Sequence, residues 1–165
     1  MRSRALHACT VAVAAITLVA APAAARAQQA PNLSGTWELD VAQSDFGMMP
    51  GPTKATLVVE HKEPALKVVS TQVTPRGERT ATSSYTTDGK ESKNTGAMGN
   101  EVTSTLKWDG AVLTNAAKTQ VQGNDVSITE RWSVAPDGRT LTINRTVAAP
   151  VMPAPMDMTL VFAKQ

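Results

Sequence analysis

The sequence predicts an all-β protein, an up-and-down antiparallel meander closed into a roughly ten-stranded barrel. Three observations lead there. Residues 28–165 hold 19 Thr and six aromatics, with no apolar run of helical period three turns long. Turn-forming pairs recur at Asp88-Gly89, Asp109-Gly110, Gly123-Asn124 and Asp137-Gly138, spaced 21, 14 and 14 residues apart. The runs between them alternate apolar and polar residues, which marks half-buried strands. Ten twisted strands in an open sheet would leave two long unpaired edges, and closure into a cylinder removes them.

The chain opens on residues that read as an address. Arg2 and Arg4 precede an uncharged apolar run from Val11 to Ala20, and Ala25-Arg26-Ala27 has the small-x-small form of a cleavage site. Residues 1–27 are therefore expected to be a signal peptide, with residues 28–165 as one mature domain. The run falls short of the ~20 strongly apolar residues of a membrane span, so no membrane anchor is expected after its removal. Leu6-His7-Ala8-Cys9 precedes the apolar run, the wrong order for a lipidated cysteine. Export predicts a periplasmic or secreted location.

Removal of the leader changes the charge. Three of the 16 Lys plus Arg lie in it, leaving 13 against 14 Asp plus Glu, a net charge of −1. No basic excess remains to favour nucleic acid. The single Cys, Cys9, also leaves with it, so the mature chain has no disulfide or thiolate site.

The first strand sets Leu33, Gly35, Trp37 and Leu39 against Thr36, Glu38 and Asp40. Strands follow near 54–61, 65–74, 78–87 and 90–95; Tyr85 shares a face with Ala81, Ser83 and Thr87, which predicts a polar inner wall. In the second half, Val126, Ile128, Glu130, Trp132 and Val134 form an inward face. Across a four-residue loop from Pro136 to Arg139, they pair Ile128 with Val147, Glu130 with Arg145, Trp132 with Ile143 and Val134 with Leu141. Across Gly123-Asn124 they pair Glu130 with Ala117, Trp132 with Asn115 and Val134 with Leu113. Across Asp109-Gly110, Leu113 faces Leu106 and Trp108 faces Ala111. The last strand carries Met156, Met158, Leu160 and Phe162 on its inner face.

Leu33-Ser34-Gly35-Thr36-Trp37-Glu38-Leu39 resembles the Gly-x-Trp opening of the lipocalin and fatty-acid-binding-protein (calycin) superfamily, and the chain looks like small secreted bacterial lipocalin-like proteins. The resemblance covers the mature chain in architecture and about a dozen residues in sequence. It implies a lipocalin-like barrel with Trp37 packed at the closed end and an Arg from a late strand across it. Arg145, inward by parity, matches that latch; Arg131 points outward. The Thr-Asp-Tyr motif of lipocalins is absent. Residues 41–53 are too short and too rich in Gly and Pro for a helical lid.

Glu130 and Arg145 are the most informative pair. Each interrupts an apolar face, and a lone charge inside a barrel is costly, so pairing is what makes either tolerable. Two readings stand: a polar anchor in which Arg145 meets a ligand carboxylate and Glu130 orients it, or the structural latch on Trp37. Trp108, Trp132 and Phe162 are candidate pocket walls or core filling. The small, polar Ser104, Asn115 and Thr119, with Ala117, would fill a ten-stranded barrel poorly and point to a cavity. The expected ligand site is Trp108, Asn115, Glu130, Trp132, Arg145 and Met158. The Pro, Gly and Met-rich connections 41–53 and 148–155 fall at one barrel end and are expected to gate its mouth.

Catalysis has little footing. His61 is the only mature His, Glu130 has no second inward carboxylate beside it, and no phosphate loop or zinc spacing occurs. No cofactor is expected. The reading is an exported, non-catalytic lipocalin-like binding protein for a small, mostly apolar molecule. The alternatives are an envelope structural or protein-interaction barrel with a filled interior, and a periplasmic copper-binding protein using Met48, Met49, Met152, Met156 and Met158.

Overall fold

The computed structural model describes residues 30–96 and 99–165; the expected signal peptide, 1–27, lies outside the described residues. Ten antiparallel strands form one sheet: β1 (Gly35–Leu39), β2 (Lys54–Lys62), β3 (Ala65–Thr74), β4 (Gly77–Thr86), β5 (Asp88–Thr95), β6 (Glu101–Asp109), β7 (Val112–Val121), β8 (Asn124–Val134), β9 (Thr140–Ala148) and β10 (Met156–Lys164). The spatial order is β4-β3-β2-β1-β10-β9-β8-β7-β6-β5. Pairing of β1 with β10 turns the meander into a nearly closed barrel. The remaining seam, between β4 and β5, has no backbone ladder.

The inner faces follow the alternation. Leu33 just before β1, Trp37 and Leu39 on β1, Ala55, Leu57 and Val59 on β2, and Leu66 and Val68 on β3 are buried. Leu106, Leu113, Trp132, Leu141, Ile143 and Phe162 complete the core from the other side. Burial of each such side chain contributes about 1.5–3 kcal/mol.

Registers were less legible than faces. The β8–β9 pairing matches expectation, with Glu130 opposite Arg145 and Trp132 opposite Ile143. Here Ala135 N donates to Thr140 O at 2.8 Å, closing the loop from Pro136 to Arg139. The β7–β8 register is displaced by two residues. Val121 pairs with Asn124, so the two-residue turn is Gln122-Gly123, and Glu130 faces Asn115 rather than Ala117 while Trp132 faces Leu113. Gln122 and Gly123 take φ of 51° and 80°, the doubly positive pair of a type I′ turn. Gly110-Ala111, with Gly110 at φ 62°, likewise replaces Asp109-Gly110 as the β6–β7 turn. Leu106 therefore faces Asn115, and Trp108 faces Leu113. A shift of two leaves every side chain on its face, because the strand period is two.

Asp88-Gly89 makes no hairpin turn. It lies inside β5, where the register slips between Asp88 and Glu91, and Gly89 takes φ 82°. The corner between β4 and β5 is instead tied to the β2–β3 turn, where Thr87 N donates to Pro64 O at 2.8 Å.

Connections 40–53 and 149–155 lie at the same barrel end, as the meander requires. The first continues β1 along β10: Asp45 and Thr159 exchange both backbone hydrogen bonds, at 2.7 and 2.8 Å.

Candidate functional site

Glu130 is a buried hub. The β8–β9 register brings Arg145 to its Oε1, with Arg145 Nε donating at 2.7 Å and Nη2 lying at 2.6 Å. The displaced β7–β8 register brings Asn115 to its Oε2, and Nδ2 donates at 3.0 Å. Trp132, two residues along the same face, donates Nε1 to that oxygen, also at 3.0 Å. Burial pushes the Glu130 carboxyl up, but Arg145 and the hydrogen bonds of Asn115 and Trp132 more than reverse this, holding it below its ordinary value of 4.5. The charge is compensated and both carboxylate oxygens are engaged.

Asn115 carries a second feature. Its Nδ2 must face the carboxylate, since the flipped amide would set oxygen against oxygen. Its Oδ1 is therefore directed away from Glu130, and it has no hydrogen-bond partner among the described residues. A buried acceptor left unmade costs about 1–3 kcal/mol.

Asn115, Glu130 and Arg145 line a cavity of about 340 Å³ inside the barrel, with Tyr85, Ser104 and Ile128 among the other walls. The cavity exists because β1–β3 and β10 supply large apolar side chains, while β4–β7 supply Ala81, Ser83, Asn94, Ser104 and Thr119 on the inner face. Ser104, Asn115 and Thr119 thus line a space, Ala117 is buried outside it, and the wall around Tyr85 is polar as expected. Burial pushes the Tyr85 phenol above its ordinary value, outweighing the opposing Ser83 hydrogen bond, with smaller and opposite effects from the Glu130 and Arg145 charges, so it remains protonated at neutral pH.

The other expected site residues are distributed elsewhere. Trp132 supports Glu130 from within the core cluster. Met158 lies opposite Arg145 on β10. Trp108 packs against the core cluster away from Glu130, where its Nε1 donates to Glu63 at 2.6 Å and its ring lies 6.0 Å from that of His61. Sequence reasoning missed Glu63 there, and it placed Tyr85 on a polar inner wall without joining that wall to Glu130. Phe162 is core filling. Met156 and Met158 face inward, whereas Met48 and Met49 are exposed on the β1–β2 connection.

The latch is made differently from expectation. Trp37 lies opposite Lys164 and Arg145 opposite Met158. Six residues of β10 separate the two levels, roughly 20 Å along a strand. Arg145 therefore pairs with Glu130, and the cation over the Trp37 ring is Lys164, whose Nζ is 5.1 Å from the centroid. Trp37 Nε1 donates to Leu33 O at 2.9 Å, which ties the segment before β1 to the barrel floor.

The β4–β5 seam borders the cavity and is stitched by side chains. Asn94 Oδ1 accepts from Ser84 N at 2.7 Å, and Asn94 Nδ2 donates to Ser84 O at 3.0 Å. Ser92 Oγ accepts from Thr86 N at 3.2 Å. One asparagine side chain thus takes the place of a backbone partner. Asn94→Ala is expected to raise the hydrogen-exchange rate of the Ser84 amide about ten-fold or more while leaving the β8–β9 amides unchanged. Unaltered exchange at Ser84 would show that the seam is held by something else.

Fold and site together define a nearly closed, ten-stranded antiparallel β-barrel with a polar-anchored cavity. No protein-family model matches the sequence, and no curated protein matches it. Solved structures do match in fold. A structure described as "REP1-NXSQ fatty acid transporter" is similar over 81% of this chain and 96% of its own, with a TM-score of 0.54 and 14% identity. Human cRBP IV is similar over 82% of this chain and 99% of its own, with a TM-score of 0.52 and 16% identity.

Proposed function

We propose that this is an exported, non-catalytic binding protein whose barrel holds a small, mostly apolar molecule. The observation that carries the reading is the internal cavity of about 340 Å³, where Val102, Val126 and Ile128 surround the convergent polar groups of Asn115, Glu130 and Arg145. Apolar walls with a few fixed polar groups are the usual form of a small-molecule site, and the volume lies near the lower end of the ~300–1,000 Å³ range of such sites. The fold likeness to a fatty acid transporter supports an apolar ligand class. The lining reaches the rim at Gly96, Asn100 and Val121, and includes no residue of connections 40–53 or 149–155.

Native mass spectrometry of protein purified from its own host tests it. The expected spectrum shows a chain beginning at Gln28 with a small organic mass retained. Bare protein would favour the filled structural barrel, and retained copper would favour the methionines.

A further inference from the structure

Apolar exposure on this barrel is concentrated at one end. Among the described residues five large hydrophobic side chains are exposed, and four of them, Val41 (42%), Met48 (83%), Met49 (55%) and Val151 (68%), lie on the connections 40–53 and 149–155. Met48 and Val151 stand at the tips of tight turns: Met49 N donates to Phe46 O at 3.2 Å, and Met152 N to Ala149 O at 3.0 Å. Turn tips usually carry Gly, Asn, Asp or Ser. An apolar side chain there gains nothing from the core, so folding does not account for the cluster. The tips are also firmly seated. Phe46 packs against the core and against Gly51, Gly47 abuts Met156, and Asp45 is paired with Thr159.

The charge around the tips selects the partner. Residues 46–53 and 149–155 hold no ionisable side chain. The flanking charges are Asp40, whose Oδ1 accepts from Gln43 N at 3.1 Å, Asp45, whose Oδ1 accepts from Gly47 N at 2.9 Å, and Lys54, paired with Glu38 at 3.3 Å. These segments offer nothing to anionic head groups, whose attraction takes clustered Lys or Arg. A second copy of the chain is disfavoured by size, since a stable protein interface takes roughly 20–30 residues a side. The interfacial layer of a bilayer asks less: apolar side chains need sink only about 5–10 Å into it. We infer that this rim docks the protein on an uncharged, zwitterionic lipid surface through Met48, Met49 and Val151, whatever the cavity holds.

Flotation with phosphatidylcholine vesicles tests it, using protein purified from its own host. The wild type is expected to float with the vesicles equally well at about 0.05 M and about 0.5 M salt, since no charge pairing is involved. Met48→Ser, Met49→Ser and Val151→Ser combined, with an unchanged thermal melt, should weaken partitioning about ten-fold or more. Val58→Ser, at the exposed hydrophobic side chain on β2, should leave it unaltered. Wild-type protein that stays in the dense fraction, or floats no better than the triple variant, would overturn the inference. So would binding confined to phosphatidylserine vesicles and lost at high salt. A wild-type dimer in sedimentation equilibrium that the triple variant abolishes, without flotation, would overturn it too and give the rim to a second copy of the chain.

Discussion

Arg145→Leu is expected to destabilise the protein by about 3 kcal/mol at neutral pH, a large part of the ~5–15 kcal/mol that holds a typical domain folded. The cost comes from the partner left behind. Glu130 keeps 7% of its side-chain surface exposed, and removal of Arg145 leaves its carboxylate with only Asn115 and Trp132 as donors. Arg145 itself is 33% exposed, which places the loss at the lower end of the ~3–5 kcal/mol seen when a buried pair is broken.

The pH dependence should change sign. In the wild type the Glu130 carboxyl is held below 4.5 in the folded state, so its stabilisation is present above about that pH and is lost as pH falls through the folded value. Without Arg145, burial dominates and raises the carboxyl above its unfolded value. The variant should then gain stability as pH falls from about 7 toward 5, where the wild type is flat. Replacing both residues, Glu130→Leu with Arg145→Leu, should recover most of the loss. Urea midpoints across that pH range read all three effects. A single variant that melts like the wild type with the same acid limb would remove the ion pair from the account of stability.

Trp37→Ala should cost about 3–5 kcal/mol, the scale of a fully buried aromatic truncated in a packed core. The void would open between β1 and its neighbours, opposite Leu57 on β2 and Lys164 on β10. Trp37→Phe separates the contributions. It keeps much of the volume but leaves Leu33 O without the indole N–H, a loss of about 1–3 kcal/mol. Lys164→Met should change stability by less than about 1 kcal/mol, since the cation lies at an exposed site. Chemical denaturation distinguishes the three. An alanine variant no less stable than the phenylalanine variant would show that the floor of the barrel does not depend on the ring.

Which face each residue takes was readable because alternation survives any even displacement of register. Glu130 and Arg145 could be placed opposite each other for the further reason that a three-residue turn at Pro136–Gly138 would put Trp132 and Ile143 on opposite sides, whereas the four-residue loop from Pro136 to Arg139 keeps them together. The neighbour of Glu130 on β7 was not readable. Both candidate turns at 122–124 contain Gly123, and nothing local says that Gln122 will accept a φ of 51°. Asn115 was thus expected to line the site but not to hold the carboxylate. Lys164 over Trp37 and Glu63 against Trp108 were out of reach for another reason. Each joins residues far apart in the chain, 45 positions in the second case, and depends on which strands become neighbours at a given height. The stitch by Asn94 was hidden because a polar inward residue beside a polar wall carries no periodic signal.

The ten-strand wall has one fissure, and its position gives the cylinder a compliant direction. Strands β1 and β10 stand fourth and fifth in the order of ten, so the joint between the first and last strands acts as a spine, and the β4–β5 margin is the fore-edge remote from it. Nine neighbouring strand pairs resist shear through main-chain ladders, with one slip in β5–β6, whereas the hydrogen bonds across the tenth are those of Asn94 and Ser92 among the described residues. Breathing of such a shell is expected to be lopsided, with the lumen dilating on the side of Tyr85 while the floor around Trp37 keeps its shape.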